Sequence, residues 1–214
     1  MMDCPDFPKR GPGRPRSDAT RCAILKAAYE LLEEAGIAGF TIEGVAARSG
    51  SAKTTIYRWW PSRGMLATEA LLGRIQSGDP EPQSGSVIDA IKSVMQNLAD
   101  LLSGSPGRVL AGLIAESQSC SDTSDAIMSN IVLRRRQKGR ELLERGVATG
   151  ELKADIDLDA ALDALFGPFY ARLVMRRMPF ETGYVERLAG TVLLGIAVQP
   201  AAGVTQKTRA VSAR

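Results

Sequence analysis

Residues 41–60 read TIEGVAARSGSAKTTIYRWW, and the way this stretch divides decides the fold. Thr41 is a helix N-cap, with Glu43 in the first turn where a negative charge suits the helix dipole. The short helix IEGVAARS then ends at Ser49-Gly50. A second short helix follows in SAKTTIYRWW, which holds both of the chain's tryptophans. Ile56 and Trp60 stand four apart, so they share one helical face and turn inward against Val45 and the first helix. Ala52, Lys53, Thr54, Thr55, Tyr57 and Arg58 are left outward. One tryptophan belongs to a core, and the rest of the segment makes a small, polar, basic surface.

The flanking sequence builds outward from this pair. Upstream, Ser17-Asp18 offers an N-cap, and Ile24, Leu25, Ala28, Leu31, Leu32 and Ala35 repeat at helical spacing until Gly36 stops the helix. Downstream, Pro61-Ser62 ends the aromatic helix and caps a fourth, RGMLATEALLGRIQS. The segment 78–85, GDPEPQSG, carries two prolines and no apolar side chain, and reads as a linker. Further helices are expected over roughly 86–102, 106–119, 122–149, 158–177 and 181–198. Val, Ile and Thr never alternate at period two for long enough to argue a sheet. The fold class is all-α.

Composition narrows the function. The chain has 214 residues, enough for one or two small helical domains. No stretch approaches the ~20 apolar residues of a membrane span, and no secretory signal or membrane partner is expected. Cys4, Cys22 and Cys120 fit no disulfide framework and no zinc spacing, which points to a reducing, cytoplasmic setting. Histidine is absent, which removes His-based acid/base catalysis and His-ligated metals. Asp155, Asp157 and Asp159 open like a calcium loop, but Ala160 stands where glycine belongs and Phe166 where glutamate belongs. No enzyme, metal or cofactor is expected. The charge of +3 is uneven: residues 1–74 hold 11 Lys+Arg against 8 Asp+Glu, while residues 75–214 hold 16 of each. A basic first third on a neutral body suggests a polyanion as partner.

Two short helices joined by a tight turn at 49–51 have the dimensions of a helix-turn-helix, whose second helix enters the DNA major groove. The plain alternative is three small helices of a bundle. The order FTIEGVAARSG, then SAKTTIYRWWPSRGML, resembles the TetR (tetracycline repressor type) family of bacterial transcriptional regulators over about Ser17 to Leu72. That resemblance implies an N-terminal helix-turn-helix domain over 17–77 and a C-terminal ligand-binding and dimerisation domain over 86–199. It implies a homodimer on a palindromic double-stranded DNA operator, acting as a repressor released by a small-molecule effector. Thr41 and Tyr57 match residues that touch phosphates, Ala52, Lys53, Thr54 and Thr55 fall on the base-reading turn, and Ser51 and Arg58 complete the expected DNA-binding set. Arg63 sits where a lysine caps the fourth helix and reaches the DNA backbone. Ser51 and Ala52 depart from the family's Val and Ser, which predicts an N-cap shifted by one residue.

Outside that match, Phe166-Gly167-Pro168-Phe169-Tyr170 is expected to break a helix in an aromatic setting. Phe166, Phe169 and Tyr170, with Met95, Leu98, Leu113 and Glu116 as neighbours, are the candidate ligand-pocket residues. The run RRRQKGR at 134–140 reads as a solvated helix face. Residues 1–16 form a disordered basic arm, and residues 200–214 a flexible tail. Within the arm, Gly13-Arg14-Pro15 and Arg16 are similar to the core of an AT-hook, whose arginines enter a narrow minor groove. A non-regulatory nucleoid-type DNA binder using the arm is the competing reading. Deleting residues 1–16 is expected to lower DNA affinity and flatten the slope of log K against log salt, as phosphate contacts are lost. An unchanged slope in salt titrations would reduce the arm to a solubilising tail.

Overall fold

The computed structural model describes residues 16–76, 85–176 and 178–198, and helices carry nearly all of them. Helices α1 (Arg16–Gly39), α2 (Ile42–Ser49), α3 (Lys53–Trp59) and α4 (Arg63–Gln76) come first. Helices α5 (Val87–Ser103), α6 (Ser105–Ser117), α7 (Ser121–Ile127), α8 (Leu133–Ala148), α9 (Leu158–Tyr170) and α10 (Tyr184–Ile196) follow. Two π-helical segments interrupt this order, at Met128–Val132 between α7 and α8 and at Ala171–Arg176 after α9. Among the described residues the only strand-like pairing is an isolated antiparallel bridge between Leu152 and Ala197. The all-α expectation holds.

Local signals place the first four helices. Thr41 accepts a hydrogen bond from the Gly44 amide at 3.0 Å, so it caps α2 as its residue type predicts. Gly50 ends α2 at φ 66°, a left-handed conformation that glycine enters without steric cost. Gly36 takes φ 64° within α1, so the regular helix stops there and a last turn runs on to Gly39. Ile24, Leu32, Phe40, Val45, Ile56 and Trp60 meet in one buried cluster with Leu66 and Leu71 of α4.

Two stretches differ from their sequence reading. The helix expected over 122–149 is divided by the first π-helical segment, which adds a residue to one turn and rotates α8 relative to α7. Gly167-Pro168 does not break a helix. α9 runs through Pro168, and the widened turn begins at Ala171. Local propensity could not reveal either change, because i→i+5 hydrogen bonding has no residue signature of its own. Cys120 is a free thiol.

The body is built on α6. It packs against α1 on one side, where Tyr29 Oη lies 3.1 Å from Ser105 Oγ, and against α5 and α7 on the other. α5 in turn packs against α8, α9 and α10. Glu151, in the turn after α8, caps α5 from a distance: its carboxylate accepts from Ser86 Oγ (2.6 Å) and from the Val87 amide (3.0 Å). The Ser86 hydroxyl and the Val87 and Ile88 amides hold the Glu151 carboxyl at about 2, below its usual 4.5. A carboxyl depressed on folding stabilises the fold above pH ~4.5, and that contribution is lost as pH falls toward 2. Glu151→Ala should therefore lower the thermal midpoint at pH 7 and flatten its decline in this acid window. Thermal unfolding measured against pH checks both, and an unaltered acid limb would exclude Glu151 as its source.

Candidate nucleic-acid interface and the cavity behind it

Helix α3 presents two chemically distinct faces. Ile56 and Trp60 are buried, and Trp60 donates its indole N–H to Glu69 Oε2 of α4 at 2.5 Å. Arg21 of α1 pairs with the other oxygen of Glu69, and its guanidinium lies about 6 Å from both tryptophan rings. This bridge fixes α3 against α1 and α4. Ala52, Lys53, Thr54, Tyr57 and Arg58 are exposed on the opposite face, with Ser51 and Thr55 half-buried beside them. Tyr57 is 49% exposed despite its size. A groove of about 650 Å³ runs beside this face, between Ala19 and Thr20 of α1, the 49–51 turn and Thr55, Arg58 and Trp59 of α3.

The surface charges come with carboxylates. Lys53 Nζ meets Glu43 Oε1 of α2 at 2.5 Å, and Arg48 makes a two-pronged contact with Glu34 at 2.8 and 2.6 Å. These hydrogen bonds hold both carboxyls below the usual carboxylate range. The sequence marked Glu43 only as a first-turn acid and gave neither pairing, because Lys53 and Glu43 lie ten residues apart and meet only through the turn. Among the described residues Arg58 has no ion pair. Thr41 is exposed at the start of α2. Arg14 and the side chain of Arg16 lie outside the described residues.

Arg63 departs from its expected place. Its Nη1 donates to the carbonyls of Ile37 (3.2 Å) and Phe40 (2.9 Å), and its Nη2 to Glu116 Oε1 of α6 at 2.6 Å. A guanidinium can fork to three acceptors where a lysine ammonium acts as a point charge, so the expected phosphate ligand is turned inward. The N-cap of α3 is Ala52, which makes no side-chain cap hydrogen bond.

A second site lies behind this one. A cavity of about 710 Å³ opens between α5, α6, α8, α9 and the π-helical segment before α8. Of the residues singled out in the sequence, Leu98, Phe166 and Tyr170 line it. Met95, Leu113 and Phe169 do not. They are fully buried core, and Phe169 stacks on Phe180 at 5.5 Å with Tyr184 edge-on at 5.9 Å. Glu116 is occupied by Arg63. The run 134–140 is only partly a solvated face: Arg136 bonds Asp159 and Asp163 of α9, while Arg135 and Lys138 line the cavity.

Comparison with known proteins agrees with this layout. Residues 24–70 match the family described as bacterial regulatory proteins, tetR family, and residues 81–192 match the tetracyclin repressor-like C-terminal domain. The chain belongs to the TetR family of bacterial transcriptional regulators. Its sequence is 32% identical over 184 residues to the HTH-type transcriptional regulator YdeS of Bacillus subtilis, covering 86% of this chain and 93% of that protein. It is 27% identical over 188 residues to the DNA-binding transcriptional repressor TetR of Mycobacteroides abscessus, covering 87% and 98%. The crystal structure of the TetR family transcription regulator SCO0332 superposes with a TM-score of 0.73 at 31% identity, over 85% of this chain and 99% of that one. The chain is thus a DNA-binding transcriptional regulator, with α2 and α3 as its helix-turn-helix.

The missing cap suggests a direct test of the helix-turn-helix geometry. Ala52→Ser should stabilise the TetR-family domain by about 1 kcal/mol, as its hydroxyl accepts from the uncapped amides of α3. Chemical denaturation reads this gain, and no change would show that residue 52 is not positioned as a cap.

Proposed function

We propose that two copies of this chain bind a palindromic operator through paired α3 helices, and that a small molecule in the cavity releases them. The outward residues of α3 would read base edges, with Lys53, Thr54 and Thr55 nearest the groove floor. Tyr57, Arg58 and Thr41 would hold phosphates. The protein then acts in the cytoplasm as a repressor, the role printed in the name of its Mycobacteroides abscessus relative.

One observation carries the ligand link: the walls of the cavity are the helices that hold α4. Leu110 and Ile114 of α6 line the cavity, and Glu116 on the same helix grips Arg63. Ile127 of α7 lines it too, and Thr123 on that helix packs on Gly64, where a Cβ would approach Thr123 Oγ1 to 2.1 Å. A ligand that shifts α6 or α7 therefore moves α4, and through Glu69 and Trp60 it moves α3.

The dimer is supported by an uncovered apolar face on α9 and α10. Leu194 is 69% exposed, and a Cβ at Gly167, Gly190 or Gly195 would have no atom within 4 Å. Small residues around a large apolar one let a second copy of these helices approach closely. A twofold pair also meets the geometric demand of two half-sites about one helical turn apart.

Selection of bound fragments from a random DNA pool tests the reading. Enriched inverted repeats are expected from the 22.9 kDa chain, with mass measurement giving a dimer. Leu194→Glu should yield monomers that bind the selected repeat far more weakly. Enrichment of single half-sites, or of A/T-rich DNA without symmetry, would overturn the operator model, the latter in favour of the nucleoid-type binder.

A further inference from the structure

We infer that the cavity takes an amphipathic anion: an apolar body with one negatively charged head that meets Arg135. The inference rests on the reading that this cavity is the effector site, and names the chemistry of its ligand.

The apolar part follows from the walls. Leu98, Leu110, Ile114, Ile131, Leu142 and Phe166 converge from four helices and a π-helical segment on a space of drug-sized volume, about 710 Å³. The charged part follows from α8, which contributes Arg135, Arg136, Lys138 and Arg145 to the lining, against Glu141 and, from α9, Asp163. Arg136 is already satisfied by Asp159 and Asp163. Glu141 accepts from Gln137 at 2.8 Å. Arg135 is different: it is half-buried at the cavity wall, and among the described residues it has no ion pair or hydrogen bond.

That asymmetry selects a head group. An apolar ligand filling the cavity would strip water from the Arg135 guanidinium and return nothing, which costs binding energy. A cationic ligand would add repulsion from a lining whose charge is positive in sum. An anion replaces the lost water with charge-assisted hydrogen bonds, and the planar guanidinium suits the two oxygens of a carboxylate or phosphate. The π-helical segment supports a ligand role for this wall: it turns Ile131 and Val132 into the cavity just ahead of Arg135, and such widened turns frequently accompany functional sites.

Titration calorimetry without DNA tests the inference, with four probes kept below their micelle concentrations. These are dodecanoate, dodecyl phosphate, dodecanamide and dodecyltrimethylammonium. One anion per subunit should bind about tenfold or more tighter than the amide, with the cation weaker still. The better of the two anions identifies the head. Val94→Trp, which fills the cavity, should abolish binding. Arg135→Gln should bring the anion-to-amide ratio close to one, and Arg135→Lys should keep most of it, with melting curves confirming that each variant is folded. An amide or cation that binds as tightly as the anions overturns the inference. So does a preference that survives Arg135→Gln, or binding indifferent to Val94→Trp. The effector reading fails separately: an anion that binds with this preference but leaves operator affinity unchanged supports the ligand chemistry and removes the regulatory role.

Discussion

The Arg63 guanidinium joins three elements that are distant in sequence. It closes the carbonyls at the end of α1, anchors the first turn of α4 and pairs with Glu116 near the end of α6. Tyr29 of α1 with Ser105 of α6 is another polar tie between the N-terminal domain and the body. Glu116 is the more buried partner, and its Oε2 has no hydrogen bond among the described residues. Removing Arg63 would leave that carboxylate half-solvated and unpaired, at a cost of about 1–3 kcal/mol. With one carboxylate oxygen engaged instead of two, the contact holds α4 in place less firmly than a bidentate pair would.

Around this joint the molecule divides its chemistry. The side facing away from the body collects Lys53, Arg48 and Arg58, but two of these three cations rest on acids of their own chain. Exposed pairs of this kind contribute little to stability. The side facing into the body collects apolar residues and a second set of cations on α8. The same residue types stand on an exposed face in one half and along a cavity in the other, and geometry alone separates them.

Much of the DNA-facing half was legible because its determinants are local. Thr41 caps within three residues, Gly50 takes a left-handed turn that few other residues accept, and Ile56 and Trp60 fall one helical turn apart. Each reading needed only backbone sterics and helical periodicity. The aromatic stretch after Phe166 was half-legible: Phe166 and Tyr170 reach the cavity, but Phe169 between them faces α10. An apolar residue on a helix buried on more than one side has no pattern that tells a wall from a core.

The sequence by itself determined an all-helical chain, the bounds of α2 and its turn, the two faces of α3 and the basic bias of the first third. These follow from interactions within one or two turns of helix, which are present in the chain before it folds. Tertiary structure decided the partner of Arg63, the acids beside Lys53 and Arg48, the division of the helix at 128–132 and the turning of Arg135 into a cavity. Each of these depends on which helices become neighbours. That choice is made by the burial of many apolar faces at once, a sum over the whole molecule that no single stretch of sequence contains.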